Sequence, residues 1–436
     1  MSNTKFHKHQ SKRLKKLVLI WIMSSLLIKL IIVSNLNSGI WLGADGESYL
    51  NGARAILRDG IYWKDSVLQY WPAGYPMVIA LLAKISTTYA LSILSITQSL
   101  MFAFSCWYFG KVLFKTSVNK HVPTIIFFLS FCPTLALSSL CVGYESLVAS
   151  VLLLIASLIF RMLLEGKSIH MVLPTVGILS SLMVFLQPRY ILVSLIWIVI
   201  FVILTKKPRQ FVFPLIFSLA LILVLPGFLA LRNHEASGSY FVSTNLGTTM
   251  NIGAGSGATG GYVDSGSGVN CEGVTPSDSE LVKCVISWYL NNPKETVRLA
   301  WNKSLYFWSP WYGPNANGTM ARNPWLRISP VVKFAESDSG RNIVFGQIGK
   351  VISTFWTIGN LLLMITGLFV LRKMSESIRN IWWIFAIPIF VSWVLAIGTI
   401  GDHRFRLPIM SFVIILELFG LVKIAELRRM RDLNPR

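Results

Sequence analysis

Three carboxylates and four arginines stand out from an otherwise apolar chain of 436 residues. Asp45 and Glu47 sit in Trp41-Leu-Gly-Ala-Asp45-Gly-Glu47-Ser-Tyr49, just beyond the first apolar run, and Glu145 follows Cys141-Val-Gly-Tyr at the mouth of another. A carboxylate held in place can act as a general base, taking the proton from a hydroxyl as its oxygen attacks. Asp45 also reads as a helix N-cap, with Glu47 complementing the dipole in the first turn. The two roles are compatible, because a capping position fixes the side chain. Glu145 reads either as a solvated span end or as a functional carboxylate, given the cost of burying charge in a membrane. Arg189, Arg232, Arg404 and Arg406 each lie at the end of an apolar run. A guanidinium binds phosphate through paired planar donors, so an arginine cluster suits a phosphorylated ligand; snorkelling toward headgroups is the plainer alternative. No His/Cys cluster has zinc spacing, and a divalent metal ion at Asp45 or Glu47 is open but unsupported by spacing.

The elements that hold these residues are membrane spans. Hydrophobic residues make up 53% of the chain and charged ones 14%, and apolar runs near the ~20 residues needed to cross a bilayer recur along most of its length. The expected fold is an all-α polytopic membrane protein with about ten transmembrane helices. A formal charge of +21 would suggest nucleic acid in a soluble protein. Here the basic residues gather at run ends, Lys5 to Lys16 before the first and Arg428, Arg429 and Arg431 after the last. That pattern is positive-inside topology in contact with a lipid bilayer and argues against nucleic-acid binding. The run over 17–36 is too long for a signal peptide and lacks a small-residue cleavage site, so it reads as a retained span. Met77 to Ile85 is too short to cross. Reading 75–86 as an interfacial helix puts Lys111, Lys115 and Lys120, and Lys206, Lys207 and Arg209, on the cytoplasmic side.

This topology gives a basic cytoplasmic tail (1–16), a transmembrane module (17–231) with a first outer loop (37–88), a large outer loop (232–347), C-terminal transmembrane helices (348–427) and a second cytoplasmic tail (428–436). The cytoplasmic connections are too short for a Rossmann or P-loop domain, which excludes a cytosolic nucleotide-using site. In the first loop, 45–59 reads as a helix with Leu50, Ala53, Ile56 and Leu57 on its apolar face and Gly60 as its stop. In the second, 245–268 is rich in Gly, Ser and Thr and reads as irregular, with helices over 279–290 and 296–308 after it. Trp288, Trp301, Trp308, Trp311 and Trp325 read as interfacial anchors. Cys271 and Cys284 are expected to pair outside the cytoplasm. A site on the outer face has no nucleotide-activated donor, so an activated group has to arrive on a lipid carrier.

Several segments together resemble the GT-C glycosyltransferases, in particular the branch similar to dolichyl-phosphate-mannose protein mannosyltransferases and lipid A aminoarabinose transferases. They are Asp45-Gly-Glu-Ser-Tyr49 with Gly52-Ala-Arg-Ala55, Tyr70-Trp-Pro-Ala-Gly-Tyr75-Pro, Tyr144-Glu145-Ser-Leu, Leu186-Gln-Pro-Arg189 and Pro226 through Arg232-Asn233. Further matches are Ser243-Thr-Asn-Leu-Gly247 through Asn251-Ile-Gly253, Gly257-Ala-Thr-Gly-Gly-Tyr262, and Arg404-Phe-Arg-Leu-Pro408. The resemblance implies an inverting transferase of the plasma membrane with an extracytoplasmic site. Its donor would be a polyprenyl-phosphate-linked sugar and its acceptor a glycolipid, polysaccharide or protein. It matches Asp45 to the family's first-loop acidic residue. Taken with the residues above, Asp45, Glu47 and Glu145 are the expected catalytic carboxylates, Arg189, Arg404 and Arg406 the expected donor-phosphate ligands, and Tyr49, Tyr75, Tyr262 and His403 are expected on substrate loops. The usual Asp-Glu pair is Asp45-Gly46 here, and the extra lumenal domain of the protein-mannosylating enzymes is missing. A transporter or flippase of lipid-linked glycans is the alternative from another class, and a ligase using a diphosphate-linked donor the alternative among transferases.

Overall fold

A computed structural model of the chain describes residues 2–36, 39–42, 45–116, 118–165, 169–204, 212–261, 268–271, 277–308, 347–373 and 381–433. In the first half, α1 (Ser2–Ser34) leads to strand β1 (Trp41–Leu42), α2 (Gly46–Asp59), α3 (Ser66–Tyr70), α4 (Gly74–Ile85) and α5 (Ala90–Leu113). Next come α6 (Val122–Phe131), α7 (Pro133–Leu137), strand β2 (Cys141–Val142), α8 (Glu145–Glu165), α9 (Ile169–Leu186), α10 (Ile191–Leu204) and α11 (Val212–Ser237). The remainder holds α12 (Leu246–Ile252), α13 (Asp278–Asn291), α14 (Pro293–Trp308), α15 (Gln347–Lys373), α16 (Trp382–Gly398) and α17 (Met410–Leu433), with 3-10 turns at Pro188–Tyr190 and His403–Ile409.

Among the described residues six helical segments, within α1, α5, α8, α11, α15 and from Arg404 through α17, are long and apolar enough to cross a membrane. A seventh candidate is bent, Asn119–Phe131 meeting Pro133–Leu140 at 55°. Pro133 has no N–H to continue the ladder, and it drives Cys132 out of helical backbone (φ −59°, ψ 112°). α4, α9, α10 and α16 are shorter apolar helices. The fold is thus that of a multi-pass helical membrane protein.

α8 is the central post: 78% of its apolar window is buried, against 28% in α11. Its Ser150 and Ser157 hydroxyls donate to the carbonyls of Ser146 and Leu153 one turn back, which satisfies polar atoms that have no water to turn to. At the α15–α17 contact the backbones themselves touch. A Cβ at Gly367 would fall 2.0 Å from the Leu416 carbonyl oxygen, and one at Gly420 2.4 Å from that of Leu363. Small residues on both faces allow such close packing.

Beyond the bundle, α2 buries Tyr49, Leu50, Ala53 and Ile56 and turns Leu57 outward. The segment expected to be irregular contains α12, which with α13 encloses a small apolar cluster of Met250, Ala254 and Val285. Cys271 and Cys284 are joined, Cα to Cα 6.1 Å, fastening the approach to α13 onto its second turn.

Candidate functional site

Two residues of strand bring the first carboxylates together. β1 and β2 pair in parallel, Trp41 opposite Cys141 and Leu42 opposite Val142. Three residues beyond Leu42 and three beyond Val142 stand the two carboxylates that share one guanidinium. These are Asp45, the N-cap of α2, and Glu145, the first residue of α8. The β2 turn is braced from below. The Tyr75 hydroxyl donates to Gln98 Oε1 (3.0 Å) and accepts from the Gly143 N–H (2.9 Å), while Gln98 Nε2 donates to the carbonyls of Ser139 and Cys141.

Arg404 closes the group from the far end of the sequence. Asp402 caps the 3-10 turn, its Oδ1 accepting from the Arg404 N–H at 2.8 Å. The Arg404 guanidinium then donates through Nη1 to Asp45 Oδ2 (2.5 Å) and through Nε to Glu145 Oε1. All three side chains are between 11% and 16% exposed, so this is a desolvated cluster rather than a surface ion pair. Asp45 makes no capping hydrogen bond although it occupies the cap position. Arg189, on the turn between α9 and α10, donates to the Tyr144 hydroxyl at 3.0 Å and lies 4.1 Å over the Phe405 ring. Burial raises the Asp402 carboxyl and the Tyr144 phenol above their ordinary pKa ranges.

These groups, except Glu145, which lies behind Arg404, line a cavity of about 730 Å³. Asp45, Arg189, Asp402 and Arg404 form its charged end, and Ser243, Asn245, Thr249 and Asp278, from α12 and its surroundings, a second polar wall. The rim is apolar. Leu192 and Leu246 line it and are 44% and 49% exposed, one at the start of the apolar helix α10 and one at the start of α12. Such a cavity can hold an anionic head among guanidinium donors, carry an attached apolar chain outward over the rim, and set a carboxylate beside the head.

Several expected site residues sit elsewhere. Glu47 is more than half exposed and pairs with Arg54, one residue pair along the outer face of α2 (3.1 Å), because two helical positions beyond Asp45 point away from the cavity. The carboxylates named for a metal, Asp45 and Glu47, therefore do not converge, and the positive charge between Asp45 and Glu145 is Arg404. Among the described residues no group of three His, Cys, Asp or Glu side chains could hold a metal ion. Arg406 does not line the cavity with Arg404; its guanidinium lies 5.7 Å from the Trp308 ring. Arg232 is fully buried and donates to the carbonyls of Ile61 and Trp63 and to Asn233 Oδ1, pinning the first loop to α11 rather than meeting a phosphate. Tyr49 and Tyr75 are buried beneath the cavity, their rings 5.1 Å apart, and support it without lining it. Trp308 is wholly buried against Trp393, which rules it out as an interfacial anchor, whereas Trp301 is half exposed. Tyr262, the His403 side chain, Trp311 and Trp325 lie outside the described residues.

Asp402, Thr249 and Asp278 line the cavity without having been singled out from the sequence, and Tyr144, Gln187 and Asn245 line it from segments quoted for the resemblance but given no role there. Asp402 had a signal, an Asp two residues before an Arg at a turn, where short acids cap. Asn245 and Thr249 are one helical turn apart, but the Gly and Ser around them masked so short a helix. No protein-family model matches the sequence, and no curated protein matches it either.

Proposed function

We propose that the protein is an integral membrane glycosyltransferase of GT-C type that moves a sugar from a polyprenyl-phosphate donor to a hydroxyl acceptor, with inversion. The observation that carries this reading is the Asp45 carboxylate, which makes no cap bond and turns into the cavity beside Arg404, where Arg189 also lines the wall. The acceptor O–H gives its proton to Asp45 as its oxygen forms a bond to the anomeric carbon. The bond from that carbon to phosphate oxygen breaks on the opposite face, and the electron pair leaves with the lipid phosphate. Arg404 and Arg189 stabilise the charge that develops there. The apolar rim at Leu192 and Leu246 suits the polyprenyl chain. The acceptor is a glycolipid, polysaccharide or protein, drawn against the polar wall of Asn245, Thr249 and Asp278.

In this proposal α9, α10, α16 and the bent α6–α7 pair also cross the membrane, for ten spans in all. The basic ends of α5 and α8 face the cytoplasm, the cavity opens on the other side of the plasma membrane, and α4 lies in the interface.

Transfer by the purified protein in liposomes tests the reading. Asp45→Asn removes the base but keeps the size of the side chain, and no cap bond is lost. Turnover should fall by ~10²–10⁴ with the fold retained by thermal unfolding, and near-wild-type turnover would refute the assignment. The transporter reading draws on two features, the bend at Cys132–Pro133 and Glu417 within α17. The same liposomes separate it: transfer releases free polyprenyl phosphate, whereas transport moves the intact lipid-linked glycan across.

A further inference from the structure

Arg232 and Asn233 are adjacent on α11, both fully buried, and both direct their side chains to the main chain of a loop. Arg232 Nε donates to the Ile61 carbonyl (2.8 Å) and Nη2 to that of Trp63 (2.5 Å). Asn233 Nδ2 donates to the carbonyls of Phe241 (2.8 Å) and Val242 (3.3 Å), and its Oδ1 accepts from Arg232 Nη1 (2.6 Å). One paired anchor therefore holds two chain segments, 61–63 and 241–242, at a single level of α11. Burying a guanidinium and an amide is costly unless their donors are bonded, and here the bonds fix backbone and leave the side chains of the first segment pointing outward.

The level of the anchor can be read from the helix. α11 begins at Val212 and is a candidate span; from Val212 to Arg232 it rises about 30 Å, the apolar thickness of a bilayer. The anchor thus stands at the edge of the hydrocarbon, where lipid headgroups begin. What the anchored segments project there is largely apolar. Among the described residues Ile61, Tyr62 and Trp63 are all exposed, the last two by 57% and 52%, and the exposed Lys64 follows them. Tyr240 is exposed beside the second segment, its ring stacked on His234 at 4.0 Å, and Leu231 is exposed on the helix itself. In water, large apolar side chains held outward in this way would stay uncovered. Aromatic rings with a polar edge, next to a lysine that can reach phosphate, are the side chains the headgroup layer takes up. We propose that the 61–64 tip, with Tyr240 beside it, is a membrane contact inserted among the headgroups of the leaflet that this end of α11 reaches. The tip joins α2, which has Asp45 at its head, to α3 and to Trp71, which lines the cavity. The contact therefore sets the depth of that wall of the cavity against the leaflet, whatever reaction takes place there.

Nitroxide collision rates test the contact. Tyr62→Cys and Trp63→Cys are spin-labelled in the full-length protein in phosphatidylcholine nanodiscs. Wild type carried through the same labelling gives the background from Cys106, Cys132 and Cys141. Oxygen concentrates in the bilayer and a nickel chelate in water. The ratio of their collision rates should be severalfold higher at both tip positions than at Glu47→Cys, on the charged outer face of α2. A ratio matching Glu47→Cys at both positions would put the tip in water and overturn the contact. Poor access to both reagents would overturn it as well, because protein, from a second copy or from elsewhere in the chain, would then cover the tip. If a label at 62 or 63 prevents folding, Tyr240→Cys reads the same level from the second segment, with the same outcomes.

Discussion

Arg404 and Arg406 are two positions apart, and their separation in space follows from the turn they occupy. A 3-10 helix rotates by a third of a turn per residue, so neighbours at i and i+2 face different sides. Only an extended strand would have aimed both at one ligand. Arg404→Lys should therefore cost transfer heavily, at least about tenfold, since one ammonium cannot replace a planar fork that serves two acids from two edges. Arg406→Lys should leave transfer near normal. Steady-state kinetics with a polyprenyl-phosphate donor would check both, and equal losses would mean that the two arginines share the donor after all. The candidates Asp45, Glu145, Arg189 and Arg404 were legible because each is charged at the edge of an apolar run. Their convergence was not, because Asp45 and Arg404 are 359 positions apart and no local pattern records such a contact. The tyrosines misled for a related reason: an aromatic beside a cavity and one beneath it have the same composition.

The elements were legible in proportion to their length. Long apolar runs and the amphipathic α2 follow from periodicity, and Gly60 ends α2 as expected. The β1–β2 pair could not be read, since two residues show no alternation, yet it sets Asp45 beside Glu145. Another hidden element contact is testable by pH. Lys303 of α14 is fully buried, donating to the Tyr289 hydroxyl (2.8 Å) and the Ile397 carbonyl (3.0 Å). It seats the helix against the segment that leads through Gly401 to Asp402, where a Cβ at 401 would fall 2.4 Å from the Lys303 carbonyl oxygen. Burial pulls its ammonium down to about 7, whereas in the unfolded chain a lysine titrates near ~10.4. Between those values the unfolded chain holds a proton that the folded one lacks, so stability rises with pH across that window and the penalty is full below it. Relative to Lys303→Met, the wild-type unfolding midpoint should climb between pH 7 and pH 9. A pH-independent difference would mean that Lys303 stays charged in the fold.

At the scale of the whole molecule, the cavity fixes which helix ends lie together. α8 starts there at Glu145, α9 returns there before Arg189, and α16 ends there at Thr399. α11 ends at the same level, where Arg232 holds the first loop. The shorter helices α9, α10 and α16 each have an end at this cavity. At about 1.5 Å per residue, the 18 residues of α9 and the 17 of α16 come close to the ~30 Å apolar thickness of a bilayer, whereas the 14 of α10 cover only about 21 Å. Basic side chains mark the other end, where Lys115 and Arg161 both pair with Glu165. If that end is cytoplasmic and all these helices cross, reporters fused after Lys207 and after Arg431 should report the cytoplasm, and one after Gly268 the opposite compartment. The Lys207 and Gly268 pair tests α11 alone. The fusion after Arg431 tests α16, because with α15 and α17 both crossing after Gly268 it returns to the cytoplasm only if α16 crosses as well. A reporter there that sides with Gly268 would leave α16 or one of its neighbours within the membrane surface. The ten-span reading would then fail, even though the cavity and its charges would stand unchanged.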